Sequence, residues 1–403
     1  MNLIASAVPA STKRNVAVLA VCQALFNSTL TIQIGLGSLV GEMLATNKSL
    51  STLPITMTMV GTALSTIPAS HVMRLIGRRG GFMLGTTLGL LGCVLACVAI
   101  VTGSFFLYCF GALLFGAYSA AAQYYRFAAA DIATETFRPR AISYVVTGGL
   151  VAGFLGPEIA KHTKDLIEPY IFLGAFVAAG SICLLALAMQ TQINIPRPTA
   201  QELRETGRPL AEIIRQPLFV VAVLSGVIGY AVMNFLMTAT PLAMVHCTPP
   251  FSTDSALTVV QWHVVAMFAP GLVTGSLIAR FGVLRIIITG VVLNLCSIAV
   301  ALQGLEFVNF SGSLVLLGIG WNFMYVGGTT LLTRAYKPAE KAKAQAANDF
   351  TVFGVVAIAS LSSGALLFNG GWTVILLTAL PLVAVAGAAV LWLMLARPAP
   401  RAA

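Results

Sequence analysis

The chain has 403 residues, of which 58% are apolar and 9% charged. Ordinary soluble domains carry about a quarter charged residues, and the mean hydropathy here is +0.91, so a soluble globular protein is excluded. The net charge of +10 lies mostly in short polar intervals between long apolar runs, where it acts as a topology signal; its natural partner is a lipid bilayer with an anionic leaflet, with no nucleic acid implied.

Twelve apolar segments have membrane-crossing length, near 15–41, 51–72, 82–102, 105–128, 141–160, 170–190, 217–245, 256–279, 284–303, 312–334, 348–368 and 373–396; about 20 residues of helix span the hydrocarbon core. The runs are continuous and do not alternate, so they read as helices and not as barrel strands. No cleaved signal peptide is expected, because the first residues lack the charged, apolar and small-residue order of one. Taking alternate polar intervals from Lys13 and Arg14 onward collects nineteen Lys and Arg residues on one side, against Lys48, Lys161 and Lys164 on the other. Positive residues concentrate in the cytoplasm, so both termini are expected there. Six cysteines lie in apolar runs and Cys247 lies in an outer loop, with no disulfide or metal spacing.

Along the chain, the fourth segment carries Arg126 inside apolar sequence. A cation there is costly in lipid, so it is expected to face a cavity or a partner. Asp131 and Glu135 follow it before the basic turn Arg138-Pro139-Arg140. The polar interval 191–216 separates six segments from six, which predicts domains at 1–190 and 217–403 joined by a linker at 191–216. Within it, Leu203, Leu210, Ile213 and Ile214 among charges allow either an amphipathic surface helix or a solvated linker. The halves echo each other: Gly77, Arg78 and Arg79 follow the second segment, and Arg280, Gly282 and Arg285 follow the eighth. Internal repetition of this kind points to a transporter.

On these motifs the chain resembles the major facilitator superfamily. That family's signature loop reads Gly, three residues, Asp, a basic residue, one residue, Gly and two basic residues between the second and third spans, with an echo between the eighth and ninth. Here the copies are SHVMRLIGRR and GSLIARFGVLR. Ser70 and Arg74 replace the glycine and aspartate of the first, and Ala279 replaces the acid of the second. The resemblance therefore implies an inner latch that uses other acids, with Asp131, Glu135 or Asp349 as candidates beside Arg78, Arg79 and Arg280. In the fifth span, Gly148, Gly149, Gly153, Gly156 and Pro157 are similar to the glycine-proline motif of the family's antiporters.

The resemblance implies an all-α integral membrane protein of twelve transmembrane helices in two pseudo-symmetric six-helix bundles, with the binding site at mid-membrane on the first, fourth, seventh and tenth spans. Candidates there are Gln23, Phe26, Asn27 and Gln33; Tyr118, Gln123, Tyr124 and Arg126; Tyr230, Asn234, Thr238 and Thr240; and Trp321, Asn322 and Tyr325. A lining that is aromatic, amide-rich and nearly free of acids suits a flat, polar, mostly neutral small molecule. His263 is the most embedded histidine and a candidate proton relay; protons are a candidate coupling ion, and facilitated diffusion is the alternative.

The segments GYAVMNFLMTATPLAM and QWHVVAMFAPGLVTGSLIARFG resemble a bacterial branch of riboflavin importers. The expectation is a monomeric secondary transporter of the inner membrane that takes up riboflavin by alternating access, with no cofactor; the alternative is proton-coupled efflux of drugs or metabolites. A membrane enzyme is disfavoured, because four scattered histidines show no catalytic spacing such as H-E-x-x-H.

Overall fold

The structure, a computed structural model, describes residues 9–134, 137–195, 207–337 and 340–396. Glu135, residues 196–206 of the linker and Pro338 lie outside them, as do the side chains of Arg74, Arg138 and Arg140.

The helices are α1 (Ala10–Leu44), α2 (Leu53–Thr102), α3 (Phe105–Ala122), α4 (Tyr125–Ile132), α5 (Arg138–Thr163), α6 (Leu173–Gln190), α7 (Leu210–Ile214), α8 (Pro217–His246), α9 (Thr253–Phe268), α10 (Gly271–Phe281), α11 (Val283–Leu302), α12 (Phe307–Leu332) and α13 (Lys341–Ala396). Nine helical stretches among the described residues are individually long and apolar enough to cross a membrane, and the bent pair α9–α10 makes a tenth. Dividing α13 at its kink and including α5 brings the number to the expected twelve.

Glycine does the dividing. Inside α2 the basic turn sits at Gly77 (φ 84°, ψ 164°), and α10 gives way to α11 at Gly282 (φ 87°, ψ 148°). Both lie in a region of backbone space open in practice to glycine alone. The near-identical dihedrals at the two echoed motifs are the clearest local expression of the repeat. Of the linker, five residues form the short helix α7 at Leu210–Ile214.

The apolar runs pack into two large cores. One draws on residues from Val16 to Ile193 with Leu242 and Leu257 reaching in from the later part of the chain, and the other on residues from Ile213 to Leu393. A smaller seam joins Ile55, Met59 and Ala63 of α2 to Val227 and Ala231 of α8 and to Val352, Phe353 and Val356 of α13. Close backbone contact sets the helix spacing, as between α2 and α3, where a Cβ on Gly61 would sit 2.2 Å from Leu113 O.

At the face carrying the termini, the wholly buried Glu340 locks the linker to the start of α13. Arg208 donates to its two oxygens at 2.7 Å each, and the backbone N–H groups of Arg208 and Lys337 add bonds at 2.9 Å. Lys343 donates to Gly207 O at 3.0 Å. The Arg208 guanidinium, then the two backbone donors, hold the Glu340 carboxyl well below the usual carboxylate range. A depressed folded-state pKa contributes stability that is present above the unfolded value of about 4.3 and is lost as pH falls through the folded value. Glu340→Gln is therefore expected to lower the thermal unfolding midpoint at pH 7, with the gap to wild type closing as pH drops below about 4; an equal gap at both pH values would exclude the charge as its cause.

Candidate functional site

A cavity of about 380 Å³ lies between the two halves. Four faces converge on it. From α1 come Gln23, Phe26, Asn27, Leu30, Thr31 and Ile34, and near the α3–α4 junction come Gln123 and Arg126. From α8 come Tyr230, Met233, Asn234 and Met237, and from α12 come Trp321, Asn322, Tyr325 and Val326. Each set follows the three-to-four-residue spacing that places side chains on one side of a helix.

Of the fifteen candidates for substrate binding, the structure brings ten to this wall: Gln23, Phe26, Asn27, Gln123, Arg126, Tyr230, Asn234, Trp321, Asn322 and Tyr325. The other five lie off the lining. Gln33 is buried in α1 beside the lining face. Tyr118 is wholly buried behind Phe26, ring to ring at 5.0 Å. Tyr124 turns away to donate its hydroxyl to Thr66 O at 3.2 Å. Thr238 sits one turn beyond Asn234 and donates to its Oδ1 at 3.4 Å. Thr240 spends its hydroxyl on Leu236 O.

The wall is aromatic on one side. Trp321 and Tyr325, one turn apart on α12, are stacked with centroids 5.1 Å apart and planes 11° from parallel. Tyr230 meets both edge-on at 5.5 and 5.4 Å, and Phe353 packs on Tyr230 at 5.8 Å. The amides contribute polarity, and Gln23 donates to Asn27 Oδ1 at 3.1 Å. Three lining residues keep a buried donor with no partner among the described residues: Arg126 Nε, Asn234 Nδ2 and Trp321 Nε1. A buried donor left unpaired costs about 1–3 kcal/mol. Arg126 also acts electrostatically on Tyr325 of the cavity wall and on Asp349 of α13.

Methionines 59, 233, 237 and 267, with Phe268 and Phe353, also line the cavity. Sequence reasoning missed them because an apolar residue in an apolar span reads the same whether it meets lipid, core or ligand.

The expected gating residues fall into separate groups. Arg78 pairs with Asp131 at 2.6 Å and lies 5.7 Å from the centre of the Tyr124 ring. The acid on α4 thus meets the basic loop from which the signature acid is missing. Arg79 and Arg280 are exposed, the latter against the Phe281 ring. Asp349 accepts from Asn348 Nδ2 at 3.0 Å. In α5, a Cβ on Gly153 would meet Val264 and Val265 of α9, and one on Gly156 would come 2.8 Å from Ser28 O of α1; Pro157 follows within the helix. His263 is fully buried away from the cavity, its Nδ1 2.6 Å from Leu314 O.

On the face away from the termini, polar contacts tie segments before residue 190 to segments after 217. Glu42 meets His246 at 2.6 Å, Lys161 donates to Gln261 Oε1 at 3.1 Å, and Lys164 pairs with Asp254 at 3.4 Å.

The family model of the Major Facilitator Superfamily matches residues 16–246. The riboflavin transporter RfnT of Brucella anthropi is 44% identical over 374 residues, covering 92% of this chain and 94% of that protein. An uncharacterized MFS-type transporter, YdeG of Bacillus subtilis, is 26% identical over 370 residues, covering 88% and 85%. Among solved structures, the xylose transporter XylE from E. coli, in a partially occluded inward open conformation, superposes with a TM-score of 0.71 at 13% identity over 98% of this chain and 100% of that one. The transporter FucP in the outward conformation gives 0.65 at 15% identity, covering 95% and 99%. A family model spanning more than half the chain, a 44%-identical relative matched over nearly its whole length and the shared twelve-helix fold together show that this chain belongs to the Major Facilitator Superfamily and is a secondary transporter.

Proposed function

We propose that the protein moves riboflavin, or a flavin with the same ring system, inward across the bacterial inner membrane by alternating access. The observation that carries this reading is the cavity wall, where the Trp321–Tyr325 stack stands among the amide side chains of Gln23, Asn27 and Gln123. A flavin offers a flat face to the aromatics and hydrogen-bonding groups to the amides. The name of the Brucella relative points the same way.

The chain divides into bundles at 1–190 and 217–403 with the linker between them, and the halves rock about the cavity. The state at hand is closed on the face away from the termini by the Glu42–His246, Lys161–Gln261 and Lys164–Asp254 contacts. Both termini face the cytoplasm, as the excess of Lys and Arg on their side supports. The working unit is a monomer, since one chain encloses the site. Protons are the coupling ion.

Cells deprived of their own riboflavin synthesis and carrying this protein are expected to accumulate labelled riboflavin saturably and to lose that accumulation when a proton uncoupler is added. Accumulation that survives the uncoupler would replace coupling by facilitated diffusion. The glycine-proline bend of α5 favours a second reading, proton-driven efflux, and flavin loss from preloaded cells would select it.

A further inference from the structure

The two sides of the cavity differ in what they can bind. On the side built by helices after residue 217, the lining amides are already committed. Asn322 Nδ2 donates to Met267 O and its Oδ1 accepts from Thr274 Oγ1, both at 2.7 Å, which braces the break between α9 and α10. Asn234 Oδ1 accepts from Thr238 at 3.4 Å, while Asn234 Nδ2 and Trp321 Nε1 are covered by surrounding atoms. What this side presents is mainly ring and thioether surface, from Tyr230, Trp321, Tyr325, Phe353, Met233 and Met237.

The side built by helices before residue 190 presents the opposite. Gln23 and Asn27 lie one turn apart on α1, and the bond between them uses the Gln23 Nε2 donor and the Asn27 Oδ1 acceptor. It leaves Gln23 Oε1 to accept and Asn27 Nδ2 to donate. Neither atom has a partner among the described residues and neither is covered, and both residues line the cavity. Gln123, at the end of α3, brings a whole amide to the same side, with no side-chain hydrogen bond among the described residues. The open groups here therefore come in both senses, donor and acceptor. A hydroxyl is a donor and an acceptor on one atom, so a row of hydroxyls matches such a surface, whereas a ring edge made mainly of acceptors matches half of it.

We infer that Gln23, Asn27 and Gln123 form a polyol-reading subsite. They bind the hydroxylated chain of the substrate while the aromatic side holds its ring, so the site selects a flat ring that carries such a chain over the same ring without one. The inference rests on the flavin reading and assigns recognition of riboflavin's ribityl chain to α1 and α3.

The test titrates purified full-length protein with riboflavin and with lumiflavin, following quenching of flavin fluorescence. Lumiflavin has the same isoalloxazine ring with a methyl group in place of the ribityl chain. Wild type is expected to bind lumiflavin about tenfold or more weakly than riboflavin, the equivalent of a few lost hydrogen bonds. Asn27→Leu and Gln123→Met keep the side-chain volume and remove the amide. Each is expected to raise the Kd for riboflavin about three- to tenfold and to leave the Kd for lumiflavin within twofold of wild type. Trp321→Ala, on the ring side, is expected to raise both Kd values by a similar factor. Equal affinity of wild type for the two flavins overturns the subsite however the variants fold, and so does an absence of lumiflavin binding, which would deny the ring its separate hold. Amide variants that keep the wild-type unfolding midpoint and weaken both flavins equally, or neither, overturn it as well. All of these results leave the flavin reading standing. Failure of wild type to bind riboflavin overturns that reading and the subsite with it.

Discussion

Replacing Arg126 with Gln is expected to reduce riboflavin uptake to near background while folded protein persists in the membrane. The residue lies on α4 just past the turn that ends α3, half-buried, at the cavity wall. An arginine at membrane depth carries a cost of about 2.5–3.5 kcal/mol on insertion scales, so it is retained where charge is used. Here the charge acts electrostatically on Tyr325 and Asp349. Gln keeps part of the length and polarity but removes the cation. A hydrogen bond to a charged group contributes roughly 1.5–3 kcal/mol, which corresponds to about ten- to hundredfold in Kd. Uptake should fall further than binding, because Asp349 then loses the electrostatic influence of that cation. Adding Asp349→Asn is expected to recover thermal stability without recovering uptake. Normal uptake kinetics in the single variant would remove Arg126 from the mechanism.

Trp321→Ala and Tyr230→Ala are each expected to weaken riboflavin binding by about ten- to hundredfold. Aromatic pairs contribute roughly 0.5–1.5 kcal/mol beyond their buried area, and truncation also removes the apolar surface on which a ring would lie. Tyr230 acts differently from Trp321: it stands edge-on to both Trp321 and Tyr325. Its loss is therefore expected to free the stack to tilt, and to slow transport as well as raise Kd. Trp321→Phe keeps an aromatic face but loses the Nε1 donor, so it should fall between wild type and Trp321→Ala. Quenching of flavin fluorescence reads all three, and unchanged affinity in both alanine variants would sink the stacking model.

Much of the fold was legible before any coordinates. The spans follow from continuous apolar runs, which in lipid have helix as their one open-ended solution. The breaks at Gly77 and Gly282 were readable as echoed motifs, since each needs a backbone conformation that glycine alone adopts freely. Arg126 was visible because a lone charge in an apolar run is anomalous. Other parts were hidden for physical reasons. Gln33 and Thr238 have the right residue type at nearly the right depth, yet each helical residue turns by about 100°, and a neighbour one position away faces a different partner. Phe26, Asn27, Leu30, Thr31 and Ile34 share a single face of α1, and Gln33 is off it. The lining methionines carry no polar label at all. The break between α9 and α10 sat inside the expected eighth span, because a proline is tolerated in membrane helices whenever neighbours satisfy the freed backbone.

By itself, then, the sequence determined the class of molecule, the number of spans, the internal repeat and the side on which positive charge gathers, because each rests on the identity of residues along one local stretch. Tertiary structure alone decided which face of each helix meets the cavity, that Asp131 is the partner of Arg78, and that Asn322 braces the break between α9 and α10. Those facts depend on the rotation and tilt of every helix against its neighbours, which close packing of the bundle sets.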